Sequence, residues 1–238
     1  TQSIGASEIL LPGEVILQPN EKYEAPALKA VYSKSGLDGI SEKFHSHIRA
    51  RSVHPKKTRP LTLNMWEAIY FDHDARKINA IAEVAAEIGV ERLVLDDGWF
   101  GARRSDRAGL GDWIVNKEVW PNGLTSIISD IHDKGMEFGL WFEGEMVNQD
   151  SDLYRAHPDW VLNTGGHSEN NWRHELVLDL TNTAAFSHVL AQVSAVLTEF
   201  PIDYIKWDHN RVVVDASHNL QAAVRNQTLA IYRLFSEL

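Results

Sequence analysis

The chain has 238 residues, and its 44% hydrophobic and 24% charged residues are typical of a globular protein rather than of a disordered one. Asp and Glu number 33 against 23 Lys and Arg, so the formal net charge is -10, and we expect neither nucleic acid nor a membrane as a partner. Cysteine is absent, which excludes disulfides, thiolate nucleophiles and zinc-thiolate sites and is typical of a cytoplasmic protein.

The sequence pattern of residues 1–35 predicts that they form the end of an all-β domain. Short apolar stretches alternate there with turn-forming Pro-Gly, Pro-Asn and Pro residues, which is a strand pattern. The stretches are residues 8–11, 14–17 and 27–32. The chain begins without an initiator Met or a signal-peptide pattern, and it ends inside a helical pattern that has no stop signal. We therefore expect a segment cut from a longer protein at both ends.

The sequence pattern of residues 36–60 predicts that they connect two domains. Residues 37–52 have the apolar spacing of a helix, and the basic, Pro-containing run 54–60 that follows is typical of a linker.

From Leu61 onwards, apolar strands alternate with helices. Strands are expected at 61–66, 92–96, 137–142, 176–180 and 204–208, and helices at 74–88, 123–134, 183–199 and from about 218. This alternation predicts an α/β fold with a parallel sheet and right-handed crossovers. An open sheet and a closed barrel both fit the alternation.

The position of the polar residues favours the barrel. They stand at the carboxyl ends of four strands, at 64–67, 96–97, 141–143 and 206–208. In a (β/α)8 TIM barrel these ends surround one mouth, where catalytic residues collect. Residues 61–238 are fewer than the about 250 of a whole barrel, so we expect only its first, N-terminal portion.

The segment YIKWDHN, residues 204–210, ends the last predicted strand with several polar side chains. Because side chains alternate along a strand, Lys206, Asp208 and Asn210 are expected on one face and Trp207 and His209 on the other. A cation near Asp208 favours its ionised form, which a carboxylate nucleophile requires. The alternative is an ion pair at the end of a strand without a catalytic role.

The segment LDDGWF, residues 95–100, places two adjacent acids, Asp96 and Asp97, at a strand end. Adjacent carboxylates point in different directions, so they suit the binding of separate hydroxyl groups beside an aromatic face, as in sugar recognition. The alternative is a turn in which an Asp caps the next helix.

Two more strand ends combine Trp with an acid. GLWFEGEMV, residues 139–147, is expected to present Trp141, Glu143 and Glu145 on one face, and NMWEA, residues 64–68, contributes Trp66. A single Trp more often belongs to a core, but four strand ends that each pair Trp with an acid indicate a ligand site. Arg173 adds a forked donor before the strand at 176–180.

Other chemistries find no support in the sequence. His45 and His47 do not share a helix face, and HExxH is absent, so no metal is expected. The sequence contains neither GxGxxG nor GxxxxGK[ST], the two common phosphate-binding loops, so no nucleotide cofactor is expected either.

In order and spacing, the motifs resemble those of bacterial α-galactosidases of glycoside hydrolase family 36, the melibiase and raffinose-hydrolysing enzymes. The resemblance covers essentially the whole chain. The motifs are NMWEA, LDDGWFG, LGDW, GLWFEGEMV, HPDW, LVLDLTN and YIKWDHN. The family fold implies that residues 1–35 end a β-supersandwich domain, that 36–60 hold the linking helix, and that 61–238 begin the catalytic barrel.

The resemblance also implies roles. Asp208 is similar to the family's catalytic nucleophile, and Lys206, supported by Asn210, to the residue that bonds galactose hydroxyls. Asp96 and Asp97 are expected to hold the region of the C4 and C6 hydroxyls.

Trp66 and Trp141 are expected to form walls of the sugar subsite, with Trp99 and Trp207 nearby, and Arg173 is expected to contact the sugar from a loop. No metal or organic cofactor is implied.

The implied reaction is retaining hydrolysis of terminal α-galactose from melibiose- or raffinose-type galactosides by a full-length enzyme that is often a tetramer. The family's acid/base Asp lies in a Gly-rich segment that this sequence lacks, so we expect the 238 residues alone to be inactive. Two alternatives stay open. One is a galactosyl-transferring or α-N-acetylgalactosamine-specific relative, and the other is a non-catalytic galactoside-binding protein.

Two residues depart from the family pattern. Met65 stands where Ser is usual, and we expect this change to be neutral. Gly144 stands where Pro is usual, and we expect it to loosen the loop that aims Trp141 and Glu145.

Overall fold

The structure is a computed structural model that describes residues 3, 5–10, 12–163, 172–213, 217–218, 221–222 and 224–238. The chain divides into two compact units. One unit ends at Arg59, and the other begins at Pro60 and also contains Pro12–Glu14.

Among its described residues, the first unit contains one regular element, helix α1, at Gly36–Arg49. The strands expected between residues 8 and 32 are absent from the described part of that range. Several large apolar side chains of these stretches are exposed, namely Ile9, Ile16, Leu28 and Tyr32. A strand is stable only when its backbone groups pair with a neighbour, and these stretches have none among the described residues. The β-sandwich assignment of residues 1–35 stays a prediction.

The second unit holds the remaining helices and strands. Its first half contains β1 Thr62–Asn64, α2 Trp66–Ile69, α3 Ala75–Glu87, β2 Arg92–Leu95, α4 Thr125–Asp133, β3 Glu137–Phe142 and β4 Met146–Asn148. Its second half contains α5 Asp152–Ala156, a 3₁₀ helix at Pro158–Trp160, β5 Glu175–Val177, α6 Thr183–Glu199, β6 Tyr204–Trp207, β7 Ser217–His218, β8 Gln221–Ala222 and α7 Val224–Glu237.

Four strands form a parallel sheet in the order β1-β2-β3-β6. The register aligns Asn64 with Val94, Val94 with Gly139, and Gly139 with Tyr204. The carboxyl ends of all four strands therefore lie along one edge. The expected α/β fold with a parallel sheet is confirmed.

The core lies between this sheet and the helices that connect its strands. β2 and β3 are buried on both faces, as is usual for central parallel strands. Helix α3 buries Ile78, Ala82 and Ala85, which share one face because they are four and seven residues apart. Asp74 caps this helix, close to the start that the sequence predicts, and its carboxylate accepts hydrogen bonds from the backbone N–H groups of Arg76 and Lys77. No helix in the described ranges is both long and apolar enough to cross a membrane.

The strand expected at 176–180 does not belong to the parallel sheet. β5 pairs antiparallel with β4 in a separate two-stranded sheet, with Met146 opposite Val177 and Asn148 opposite Glu175. After β3 the chain turns at residues 144–145 and continues as β4, which supplies the edge that β5 pairs with. β3 consequently bonds directly to β6.

Candidate active site

A cavity of about 250 Å³ opens beside the carboxyl ends of the four parallel strands. All eight residues singled out in the sequence line it, namely Trp66, Asp96, Asp97, Trp141, Arg173, Lys206, Asp208 and Asn210. The lining also includes Phe71, Arg103 and Asp106, which the sequence analysis missed. The structure thus brings together residues from distant parts of the chain, while their roles stay predictions.

Asp208, directly after β6, is held by three hydrogen bonds. Its Oδ2 accepts from the Trp141 indole N–H at 3.0 Å and from the Asn210 amide at 2.9 Å, and its Oδ1 accepts from the His209 backbone N–H at 2.9 Å. Burial opposes ionisation, but these hydrogen bonds outweigh it and lower the pKa of Asp208 below its usual value. Asp208 is therefore ionised at neutral pH, and it lines the cavity.

Lys206 acts on Asp208 less directly than the sequence suggested. Its ammonium pairs with Asp96, at 2.7 Å between Nζ and Oδ2, and its charge lowers the pKa of Asp208 less than the hydrogen bonds from Trp141, Asn210 and His209 do. Asp96 Oδ2 also accepts from the Asn64 amide at 2.6 Å, while Oδ1 accepts from the Asp97 backbone N–H. Asn64, Asp96 and Lys206 therefore tie three strand ends together.

Asp97 points elsewhere, as expected for adjacent carboxylates. The Arg103 guanidinium grips it with Nε to Oδ1 at 2.9 Å and Nη2 to Oδ2 at 2.8 Å. Both side chains are buried, with 3% and 8% of their surfaces exposed. Burial raises the pKa of Asp97, and the Arg103 charge opposes that rise. The fork fixes the direction of the carboxylate at the cavity wall.

Arg173 reaches the cavity from a strained turn. Arg173 and His174 both have positive φ, 57° and 63°, which costs about 1 kcal/mol or more for a residue other than glycine. The turn is closed by a bond from the Glu175 N–H to the Trp172 carbonyl. Arg173 Nη1 donates to Asn210 Oδ1 at 3.2 Å. Asn210 in turn bonds Asp208, so the turn links the exposed rim to the carboxylate.

Of the four Trp residues expected around the pocket, only Trp66 and Trp141 line it. Trp99 is fully buried against Phe100 and Phe142, and its indole donates to the Trp141 carbonyl. Trp207 faces away from Lys206 and donates to Glu145. Neither Trp99 nor Trp207 lines the cavity, because the turn after Asp97 buries Trp99 and because strand alternation, as the sequence predicts, turns Trp207 to the face opposite Lys206 and Asp208.

Glu145 does not share a face with Trp141 either. β3 ends at Phe142, so alternation stops there, and the turn brings Glu145 to Trp207 and to His209. Gly144 in this turn lies so close to Trp207 that an added Cβ would stand 2.6 Å from the indole ring. The absence of a side chain at Gly144 therefore allows Trp207 to pack directly against the turn. The sequence predicted instead that Gly144 would loosen this loop.

Two buried glutamates lie behind the cavity. Glu143 is fully buried and accepts from the Asn210 backbone N–H at 2.6 Å and from its amide at 3.0 Å. Glu175 is 1% exposed, and its Oε2 has no hydrogen-bond partner within the described residues. Burial, and then the charge of Glu143, raise the pKa of Glu175 to about 8. Glu175 is therefore protonated at neutral pH in the folded chain.

This raised pKa predicts a stability that falls as pH rises from about 4.5 to about 8. In that window the unfolded chain has ionised Glu175 while the folded chain still holds the proton, so deprotonation favours unfolding by up to about 1.4 kcal/mol per pH unit. The Glu175→Gln variant should lose this contribution. Denaturant unfolding at several pH values measures it, with Glu87→Gln on the exposed face of α3 as a control for net charge. Parallel curves for wild type and Glu175→Gln would contradict the assignment.

No group of three or more His, Asp or Glu in the described ranges is arranged to hold a metal ion. The carboxylates of Asp96, Asp97 and Asp208 already accept from Lys206, Arg103, Asn210 and Trp141. The arrangement suits a polyhydroxylated ligand, because it offers an ionised carboxylate, directional acceptors and two indole walls.

Comparison with known proteins gives consistent matches. The melibiase family model matches residues 22–238. An α-galactosidase from Escherichia coli is 44% identical over 237 residues, which is 99% of this chain and 34% of that protein. The α-galactosidase AgaA from Geobacillus stearothermophilus is 41% identical over 94% of this chain and 32% of its own length. The chain thus spans about a third of the length of these relatives.

Solved structures agree. A variant of AgaA, a family 36 α-galactosidase from Geobacillus stearothermophilus, was crystallised with stachyose and is 40% identical, with a TM-score of 0.86 over 93% of this chain and 32% of that one. Another AgaA variant in complex with raffinose is 41% identical, with a TM-score of 0.81 over 87% of this chain and 30% of that one.

Proposed function

The chain belongs to the melibiase family, the α-galactosidases of glycoside hydrolase family 36, and on this premise we propose that it carries the galactose subsite and the nucleophile of a retaining α-galactosidase. The observation that carries the proposal is the environment of Asp208. Its carboxylate is kept ionised by Trp141, Asn210 and a backbone N–H, at the edge where four parallel strands end.

In the proposed reaction Asp208 attacks the anomeric carbon of the terminal galactose. A C–O bond forms to the carboxylate as the glycosidic C–O bond breaks, and the leaving oxygen takes a proton from a separate acid. Water, which gives a proton to that same group now acting as a base, then attacks the anomeric carbon, the C–O bond to Asp208 breaks, and galactose leaves with its α configuration retained. An ionised nucleophile is needed in the first step, and the hydrogen bonds to Asp208 favour that state.

The other lining residues are proposed to bind the sugar. Asp96 and Asp97 accept from the hydroxyls at C4 and C6, and Lys206, already bonded to Asp96, donates to a neighbouring hydroxyl. Trp66 and Trp141 form the apolar walls.

Arg173 and Asn210, which are bonded to each other, are proposed to contact the sugar beside the nucleophile. The stachyose and raffinose in the two related structures support oligosaccharides with a terminal α-galactose as the substrate class.

The acid/base is proposed to lie outside the 238 residues. In keeping with this, we propose that residues 61–238 are the N-terminal portion of a (β/α)8 barrel, that 36–60 link it to a preceding domain, and that 1–35 end a β-sandwich. The parallel order β1-β2-β3-β6, with the cavity at its carboxyl edge, supports the barrel. We also propose that the complete protein is a homo-oligomer.

The test uses the complete reading frame that encodes this chain. Incubated with an aryl α-galactoside, its product should release the aryl alcohol, and NMR should detect α-galactose before mutarotation. The 238-residue chain alone should give no turnover. β-Galactose as the first product would contradict the retaining mechanism. Turnover by the 238-residue chain would contradict the proposal that the acid/base lies outside it.

Two further arms separate the alternatives. With sucrose as acceptor, raffinose as the main product would indicate a transferase. Binding of galactose by the complete protein without any turnover would indicate a non-catalytic galactoside-binding protein.

A further inference from the structure

The Asn148 side chain is a fully buried amide at the end of β4 that uses both its oxygen and its nitrogen. Its Oδ1 accepts from Arg103 Nη1 at 2.9 Å and from the Leu110 backbone N–H at 3.0 Å. Its Nδ2 donates to the His174 carbonyl at 2.7 Å and, more weakly, to the Asp106 carbonyl at 3.4 Å. The amide therefore joins the loop after β2 to the turn before β5.

The oxygen side of this amide leads to Asp97. Arg103 uses Nη1 for Asn148 and its Nε and Nη2 for the Asp97 carboxylate. A guanidinium is planar, so fixing Nη1 fixes the direction of the other two donors. Asn148 thus sets the orientation of the fork that aims Asp97.

The nitrogen side leads to Arg173. Asn148 holds the carbonyl of His174, one of the two residues with positive φ in the turn. A turn of this kind persists only where surrounding contacts fix it. Arg173 in the same turn donates to Asn210, which bonds Asp208.

We propose that Asn148 is a positioning residue. It touches no substrate, but it fixes the positions of Asp97 and Arg173 in the cavity relative to each other. The inference rests on the proposed α-galactosidase function. Its consequence is that one amide controls two groups that bind different parts of the sugar, Asp97 through its oxygen and Arg173 through its nitrogen.

Asn148→Ala removes both branches, whereas Asn148→Asp keeps the acceptor for Arg103 and turns an oxygen toward the His174 and Asp106 carbonyls. We expect kcat/KM of the complete protein for an aryl α-galactoside to fall about 10- to 100-fold in each variant, because small misplacements of binding groups are costly. The activities are normalised to the folded fraction measured by near-UV circular dichroism.

Mutant cycles separate positioning from a merely structural role. If Asn148 acts through both Asp97 and Arg173, Asn148→Ala should cost less than about 3-fold in an Asp97→Asn/Arg173→Ala background. If it acts through Arg173, Asn148→Asp should likewise cost less than about 3-fold in an Arg173→Ala background. Full, additive losses in both backgrounds would overturn the proposal.

Asn182→Ala is the matched control. Asn182 caps α6 by accepting from the Ala184 N–H and is absent from the cavity lining, so its loss should lower stability while kcat/KM stays unchanged. If Asn148→Ala does not fold, the Asn148→Asp cycle with Arg173→Ala decides alone. Absence of α-galactosidase activity in the wild-type complete protein would contradict the proposed function, whereas additive cycles in an active enzyme contradict only the role of Asn148.

Discussion

Replacing Asp208 by alanine in the complete protein is expected to lower kcat for an aryl α-galactoside by at least about 10⁴-fold, because no covalent intermediate can then form. Among the described residues, Asp208 is the cavity carboxylate whose pKa is lowered below its usual value by surrounding hydrogen bonds. Trp141 and Asn210, which bond it, should keep the emptied site in shape. Steady-state kinetics measure the loss.

A second measurement tests the role of Asp208 in the same variant. Sodium azide should partly restore turnover, because the small anion can attack the anomeric carbon from the space that the carboxylate vacates. The product should be a β-galactosyl azide, whose inverted configuration NMR identifies. Asp159→Asn, on the exposed 3₁₀ helix, serves as the control and should turn over like the wild type. Turnover near wild type in Asp208→Ala would place the nucleophile elsewhere.

Replacing Arg103 by methionine is expected to lower the free energy of unfolding by about 3–5 kcal/mol, because the change leaves Asp97 as an unpaired charge in a buried site. Methionine has a similar length and fills the space, so the loss measures charge and hydrogen bonding more than volume. Urea unfolding followed by Trp fluorescence should show the lowered midpoint.

The double variant Arg103→Met/Asp97→Asn should recover part of that loss, because it removes the stranded charge. Arg155→Met is the control, since Arg155 pairs with Asp150 and Asp152 at the exposed surface and its loss should change the midpoint little. A double variant as unstable as the sum of its single changes would show that Arg103 and Asp97 do not act as a pair.

Local rules account for the parts of the structure that the sequence predicts well. α3 and α6 lie within one residue of their expected bounds because apolar spacing and the capping residues Asp74 and Asn182 are short-range signals. The alternation along β6 likewise separates the contacts of Lys206 and Asp208 from those of Trp207.

Contacts between distant segments account for what the sequence did not predict. Three arginines, Arg103, Arg104 and Arg107, follow Asp97, and nothing local tells which one folds back. Asn148, 45 residues further along, binds Arg103 and so decides it. The partner of β5 is equally non-local, because β4 exists only where the chain turns after β3. The roles of the cavity residues stay predictions.

The small β4-β5 sheet has an evolutionary consequence. β2, which leads to Asp96, and β6, which leads to Asp208, are joined through β3 without it, since β3 pairs with both. Insertions or deletions between β4 and β5 can therefore alter the rim around Arg173 without shifting the register of the four parallel strands. A lineage can diversify the acceptors and leaving groups that it accommodates while its bond-breaking apparatus is inherited unchanged.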